Sequence, residues 1–225
     1  IPFTATATYT VIIEPLPTAS AGGNSTICPG ADATVSGANA TNGTILWTHD
    51  GAGTISSGAT TLTPTYTSST ADEGNTVTLT MTVTSNNSCN PEIATANYTV
   101  FVSDLPTTPV IINSDINNFC ETDPGNITLT STGGIGTSIR WFDDACGGNE
   151  IGTTNPLVIA SPSTTTTYFA RNENACGVSD CASKTITVVT PPIAPTLAET
   201  DLNNFCSDHS GNIELSATGG SGTTI

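Results

Sequence analysis

Seven cysteines are the residues of this chain best placed to do covalent chemistry: Cys28, Cys89, Cys120, Cys146, Cys176, Cys181 and Cys206. Their number and spread point to disulfides, and hence to an oxidising compartment. The Cys176 to Cys181 spacing suits a disulfide loop better than a zinc knuckle. Catalysis would need a poised nucleophile, base or metal. His49 and His209 are the only histidines, and they stand far apart in the chain. Ser56-Ser57-Gly58 lacks both the Gly-x-Ser-x-Gly elbow and a nearby histidine. No enzyme is expected.

Calcium is the one inorganic ligand that the side chains invite. Asp72-Glu73-Gly74-Asn75 and Asp143-Asp144, with Asn149-Glu150 nearby, gather oxygen ligands in turns. The competing and favoured reading is that these acids cap turn backbone and stay solvated, because no EF-hand spacing is present. The candidate calcium ligands are therefore Asp72, Glu73, Asp143 and Asp144, and no other cofactor is expected.

Charge narrows the partners. Nineteen acidic residues face three basic ones, Arg140, Arg171 and Lys184, for a formal net charge of −16. Such a surface repels phosphate backbones and anionic lipid, which excludes nucleic acid and membrane-surface binding. No apolar run approaches a membrane span. The chain is rich in Thr and other β-branched residues, which favour strands.

Two self-matches set the organisation. Ala7-Thr8-Tyr9-Thr10-Val11-Ile12-Ile13, leading to Leu16-Pro17, returns as Ala96-Asn97-Tyr98-Thr99-Val100-Phe101-Val102, leading to Leu105-Pro106, at an offset of 89. Asp115-Ile116-Asn117-Asn118-Phe119-Cys120 returns as Asp201-Leu202-Asn203-Asn204-Phe205-Cys206 at an offset of 86, and Gly133-Gly134 returns as Gly219-Gly220 at the same offset. Residues 1–16 are accordingly expected to be the last strand of a preceding module. Residues 17–105 and 106–191 are two whole modules, and 192–225 opens a further one. Both ends fall inside modules, so the chain reads as an excerpt of a longer array. Proline-rich junctions, Leu105-Pro106-Thr107-Thr108-Pro109 and Pro191-Pro192-Ile193-Ala194-Pro195, stiffen the connections.

Each module is expected to be an all-β sandwich. Thr76 to Thr84 alternates strictly, with Val77, Leu79, Met81 and Val83 on one face and threonines on the other. Turn clusters of Gly, Asn, Asp and Pro separate such runs at short intervals. Trp47 and Trp141 are the expected core anchors, each packed beside an inter-sheet disulfide. Tyr66 and Tyr168 are candidate corner tyrosines. Cys28 and Cys89, the only cysteines of the first whole module, are expected to pair. The second module's four cysteines allow three connectivities, of which Cys120–Cys176 with Cys146–Cys181 is favoured. The partner of Cys206 is expected outside residues 1–225.

The order Cys28, Trp47, Gly51-Ala52-Gly53-Thr54-Ile55, Tyr66, Asp72, Gly74, the alternating strand and Cys89 resembles the PKD-like repeats of giant Bacteroidota surface proteins. The second module is similar to the Ig-like repeats found beside them, through Cys120, Gly133-Gly134, Trp141-Phe142, Thr164 to Phe169 and Cys176. The resemblance implies tandem immunoglobulin-like or PKD-like sandwiches exported by type IX secretion, as in gliding-motility adhesins of the SprB kind. It implies a non-catalytic stalk or adhesive fibre at the extracellular surface, whose partner is a polysaccharide or another surface protein, with self-association into a filament as a further expectation. The alternative function is a carbohydrate- or calcium-binding accessory module of a large secreted protein or enzyme.

Overall fold

The computed structural model describes residues 1–115, 118–121, 125–199, 207–208 and 215–222. Cys206 and His209 lie outside the described residues. The chain divides into two compact units. One comprises residues 1–109, 133–139 and 171–181; the other comprises 110–132, 140–170 and 182–225.

Nine strands belong to the first whole repeat: β1 (Thr18–Ser20), β2 (Asn24–Ile27), β3 (Asp32–Thr34), β4 (Asn39–Thr41), β5 (Gly43–His49), β6 (Thr54–Ser57), β7 (Thr65–Thr67), β8 (Thr76–Ser85) and β9 (Ile93–Val102). They form a four-stranded sheet ordered β2-β9-β8-β5, a three-stranded sheet ordered β3-β7-β6, and the β1-β4 pair. Strand β8 shows why the sequence chooses this form. Its threonines alternate with Val77, Leu79, Met81 and Val83, all of them buried, so one face closes the core and the other meets solvent. The same core takes in Val35, Trp47, Tyr66, Tyr98, Val100 and Val102.

The second repeat carries β10 (Ile111–Ser114), β11 (Asn118–Cys120), β12 (Asn126–Thr132), β13 (Ser138–Phe142), β14 (Glu150–Gly152), β15 (Leu157–Ala160), β16 (Thr166–Asn174), β17 (Gly177–Val178) and β18 (Ala182–Val189). One sheet is ordered β10-β12-β15 and the other β11-β18-β16-β13-β14, with β17 paired to β16. Ile127, Leu129, Trp141, Tyr168 and Ile186 are buried here. Both repeats are Ig-like β-sandwiches, each with a parallel edge pair. Strand β2 runs parallel to β9, and β11 runs parallel to β18. Beyond them, β19 (Thr196–Glu199) pairs with β20 (Leu215–Thr218), as β10 pairs with β12.

Residues 1–16, expected as a strand, hold no regular structure, and Tyr9, Val11 and Ile13 are exposed. Their alternation suits a sheet, but among the described residues no strand pairs with them.

Candidate functional site

Cysteine bonding is the chemistry that the fold organises. Strand β2 ends at Ile27, in register with Val102, the last residue of β9. Cys28 follows directly. Cys89 lies in the turn between β8 and β9, ahead of Ile93. The nine steps from Ile93 to Val102, at ~3.3 Å each, hold these cysteines roughly 30 Å apart along one strand, whereas a disulfide requires Cα atoms within about 7 Å. The expected Cys28–Cys89 bond is therefore corrected. Cys28 is bonded to Cys176, with Cα atoms 5.4 Å apart and a sequence separation of 148. The expected Cys120–Cys176 bond falls with it: Cys120 ends β11, in register with Val189 at the end of β18, and carries a free, exposed thiol. Cys89 is also a free thiol, half-buried. Cys146 and Cys181 are both disulfide-bonded.

The Cys28–Cys176 bond thus joins the first repeat to the β16–β17 turn of the second. Hydrogen bonds support it there. Ser103 N–H donates to Ile27 O at 2.9 Å, lacing the junction segment to the residue before Cys28. Asn174 Nδ2 donates to Asp104 O at 2.8 Å, while its Oδ1 accepts from Cys176 N–H at 2.8 Å. Asn172 Nδ2 donates to Thr107 O at 3.0 Å. Thr107 and Ile135 exchange two bonds, Thr107 N–H to Ile135 O and Ile135 N–H to Thr107 Oγ1. Gly134, at φ +73°, lies so close that a Cβ would stand 2.6 Å from Thr107 O. The recurring Gly-Gly of the sequence is explained by that approach: Gly220, at φ +81°, would meet Ile193 O at 2.7 Å in the same way.

Three of the four candidate calcium ligands, Asp72, Glu73 and Asp143, accept hydrogen bonds from the protein. Asp72 is 3% exposed and accepts from Ala52 N–H at 2.6 Å, Ser69 N–H at 2.9 Å and the Tyr66 hydroxyl at 2.7 Å. Burial pushes its carboxyl up, but those donors outweigh burial and hold it below the ordinary carboxylate value. Burial and the bond to Asp72 push the Tyr66 phenol up to about 12. Gly53 N–H donates to the same phenol at 2.9 Å, so Tyr66 knits two turns together. Glu73 accepts from Leu105 N–H at 2.7 Å, and Asp143 accepts from Asn149 Nδ2 at 2.9 Å. Asp144 is exposed. Among the described residues no group of three or more His, Cys, Asp or Glu is arranged to hold a metal ion.

Trp47 and Trp141 are both buried, and each indole N–H donates to a backbone carbonyl at 2.9 Å, of Thr61 and Thr154 respectively. Of the disulfides expected near them, Cys28–Cys89 and Cys120–Cys176 do not form. Tyr168 is buried too, and burial followed by the charge of Asp143 raises its phenol. His49 Nδ1 lies 3.1 Å from Gly51 O, and the ring packs at a tilt against Tyr66. The residues that sequence reasoning missed are Asn87 and Asn174. The signal was present in Asn87-Ser88-Cys89 and Asn174-Ala175-Cys176, an Asn-x-Cys turn repeated at the same place in both modules.

Residues 106–195 match the model of an Ig-like domain described as CHU_C associated. That stretch coincides with the second repeat and its following junction, so an Ig-like domain supplies the turn that bonds to Cys28. No curated protein matches the chain. Among solved structures, the I-band fragment I67–I69 from titin is similar at 14% identity and a TM-score of 0.48, over 92% of this chain and 77% of that one. Fibronectin(III)-like modules of CbhA from Clostridium thermocellum are similar at 17% identity and a TM-score of 0.34, over 78% of this chain and 95% of theirs. The four N-terminal Ig domains of Dscam1 isoform 8.4 match at 17% identity and a TM-score of 0.34, over 75% of this chain and 44% of that one.

Proposed function

We propose that this chain is a force-bearing segment of a secreted, cell-surface stalk or adhesive fibre, and that it does no catalysis. Ig-like domain families are generally non-catalytic structural or adhesive modules, which is the coarse part of the reading. The observation that carries the finer part is the bond between Cys28 of one repeat and Cys176 of the next. A tensile load entering near Cys28 passes through the sulfur bridge to Cys176 and skips the 148 peptide steps between them. At ~3.5 Å per residue that bridge withholds roughly 500 Å of contour from extension. Repeats that serve only as spacers have no need of such a bypass. The disulfides and the Ig-like match also favour an extracellular setting.

Force spectroscopy on the chain held at its two ends tests the reading. The oxidised protein should lengthen by roughly 500 Å less than the reduced one. Equal extension in both states would remove the mechanical role. Surface exposure is tested separately, by antibody labelling of unpermeabilised source cells. A signal that appears only after permeabilisation would overturn the surface placement.

A further inference from the structure

We infer that Cys89 and Cys120 are the open halves of further inter-repeat disulfides, so that every repeat of the array is bonded to the next by the pattern seen once as Cys28–Cys176. The inference concerns the bonding pattern and stands whether or not the array bears load or adheres.

The Cys28–Cys176 bond joins two kinds of position. One, the head position, follows the parallel edge strand: Cys28 after β2, and Cys120 at the end of β11. The other, the turn position, is the third residue of the Asn-x-Cys turn: Cys176, and Cys89 in the repeat before it. The head cysteine of one repeat pairs with the turn cysteine of the following one. By that rule Cys120 takes the turn cysteine one repeat further on, and Cys89 takes the head cysteine one repeat back.

The surroundings of Cys89 reproduce those of Cys176 on the matching residues. Cys89 N–H donates to Asn87 Oδ1 at 2.9 Å, as Cys176 N–H does to Asn174 Oδ1. Asn87 Nδ2 donates to Pro15 O at 3.0 Å, as Asn174 Nδ2 does to Asp104 O. Pro15 and Asp104 are themselves equivalent at the offset of 89. The Cys89 thiol lies 3.7 Å from Glu14 O. Glu14 is the counterpart of Ser103, whose N–H holds the residue before Cys28. Cys89 therefore faces the segment that, one repeat later, delivers a head cysteine.

Formation follows ordinary exchange. The thiolate of one cysteine attacks a disulfide oxidant, either a protein or a small-molecule disulfide, and gives a mixed disulfide with loss of one thiol. The partner thiolate then displaces the second thiol. The two cysteines lose two protons and two electrons, and the oxidant is reduced to two thiols.

Two extended chains test the rule, refolded with oxidised and reduced glutathione and mapped by mass spectrometry without reduction. In the first, residues 140–191 are appended after Ile225, the counterpart of Ile139, completing a third repeat. Cys120 should then be recovered bonded to the appended cysteine at the place of Cys176. In the second, residues 17–89 precede Ile1, the counterpart of Asn90. Cys89 should be bonded to the added cysteine at the place of Cys28. The unextended chain is the reference, with a Cys28–Cys176 peptide and with Cys89 and Cys120 alkylated before reduction. Protection of the added repeat from limited proteolysis, beside the Cys28–Cys176 peptide, shows that every repeat has folded. If both are present while Cys120 or Cys89 stays alkylatable, the rule fails. A Cys28–Cys89 or Cys120–Cys176 peptide in any of the three chains also overturns it. A disulfide-linked dimer through Cys89 or Cys120 would move the partner to a second copy and overturn the tandem pattern.

Discussion

At the scale of single residues, the first sandwich turns on one buried carboxylate. Asp72 satisfies two backbone N–H groups and the Tyr66 phenol, and Tyr66 in turn receives Gly53 N–H. Tyr66→Phe removes the acceptor of Gly53 N–H and one of the two donors to Asp72 Oδ2, which keeps Ser69 N–H, and should destabilise by about 1–3 kcal/mol in a urea titration. The pH dependence has a defined sign at each end. The folded value of Asp72 is lowered, so its contribution is present above the unfolded carboxylate value and lost as pH falls through the folded value. The Tyr66 value is raised from 10 to about 12, so its contribution is complete below pH 10 and lost as pH rises towards 12. Asp72→Asn should flatten the acid limb of a stability–pH curve and leave a weaker fold at neutral pH; an unchanged acid limb would remove Asp72 from this role. The sequence marks Tyr66 as a corner tyrosine but reads Asp72 as a turn acid open to calcium. A carboxylate beside glycines looks solvated until the chain folds over it. One of the groups that engages it is Ala52 N–H, 20 positions away.

At the scale of elements, period-two alternation made the strands legible and strand ends made the disulfides illegible. Strand β8 announces its faces in composition alone. Leu79→Ala should cost about 2–5 kcal/mol, whereas Thr80→Ala on the opposite face, which loses one hydrogen bond to Asn97, should cost about 1 kcal/mol or less. Equal costs from denaturant midpoints would contradict the assigned faces. The pairing of cysteines depends on something that alternation does not encode, namely which end of a strand each cysteine occupies. Counting two cysteines in a module suggests a pair. Placing one at the head of the parallel edge and the other at the opposite turn forbids it, because β9 runs its full length between them. The junction glycines show the same limit. Gly133-Gly134 recurs visibly, but that Gly134 must lie against Thr107 O emerges only once the linker folds back. Gly134→Ala should therefore weaken the fold by a few kcal/mol, since Cβ would strike backbone and also meet an unfavourable φ.

At the scale of the molecule, the consequence of bonding across repeats is topological. A staple inside each repeat would secure every sandwich and leave the connections as single covalent strands. The Cys28–Cys176 bond instead closes a loop that contains the junction of residues 103–109, so the connection is doubled where an array is most open to proteases. In the chain-entropy picture a loop of 148 positions stabilises by roughly 5 kcal/mol. Cys28→Ser, Cys176→Ser and the double variant should therefore all lose the same amount, because each removes the same bond. Extended along the array, loops of this kind overlap. Cys120 lies inside the loop closed by Cys28 and Cys176, so a loop opening at Cys120 begins before the previous one ends. Under the proposed bonding rule, every peptide bond between the first head cysteine and the last turn cysteine falls inside at least one loop, and one cut there would not separate the repeats. The present chain already carries one such loop. A protease site placed between Pro106 and Pro109 and cleaved to completion should leave a single band on a non-reducing gel and two bands after reduction. Cys176→Ser should give two bands in both lanes. Separation of the wild-type pieces without reductant would show that the bond does not span the junction, and the doubled connection would be lost with it.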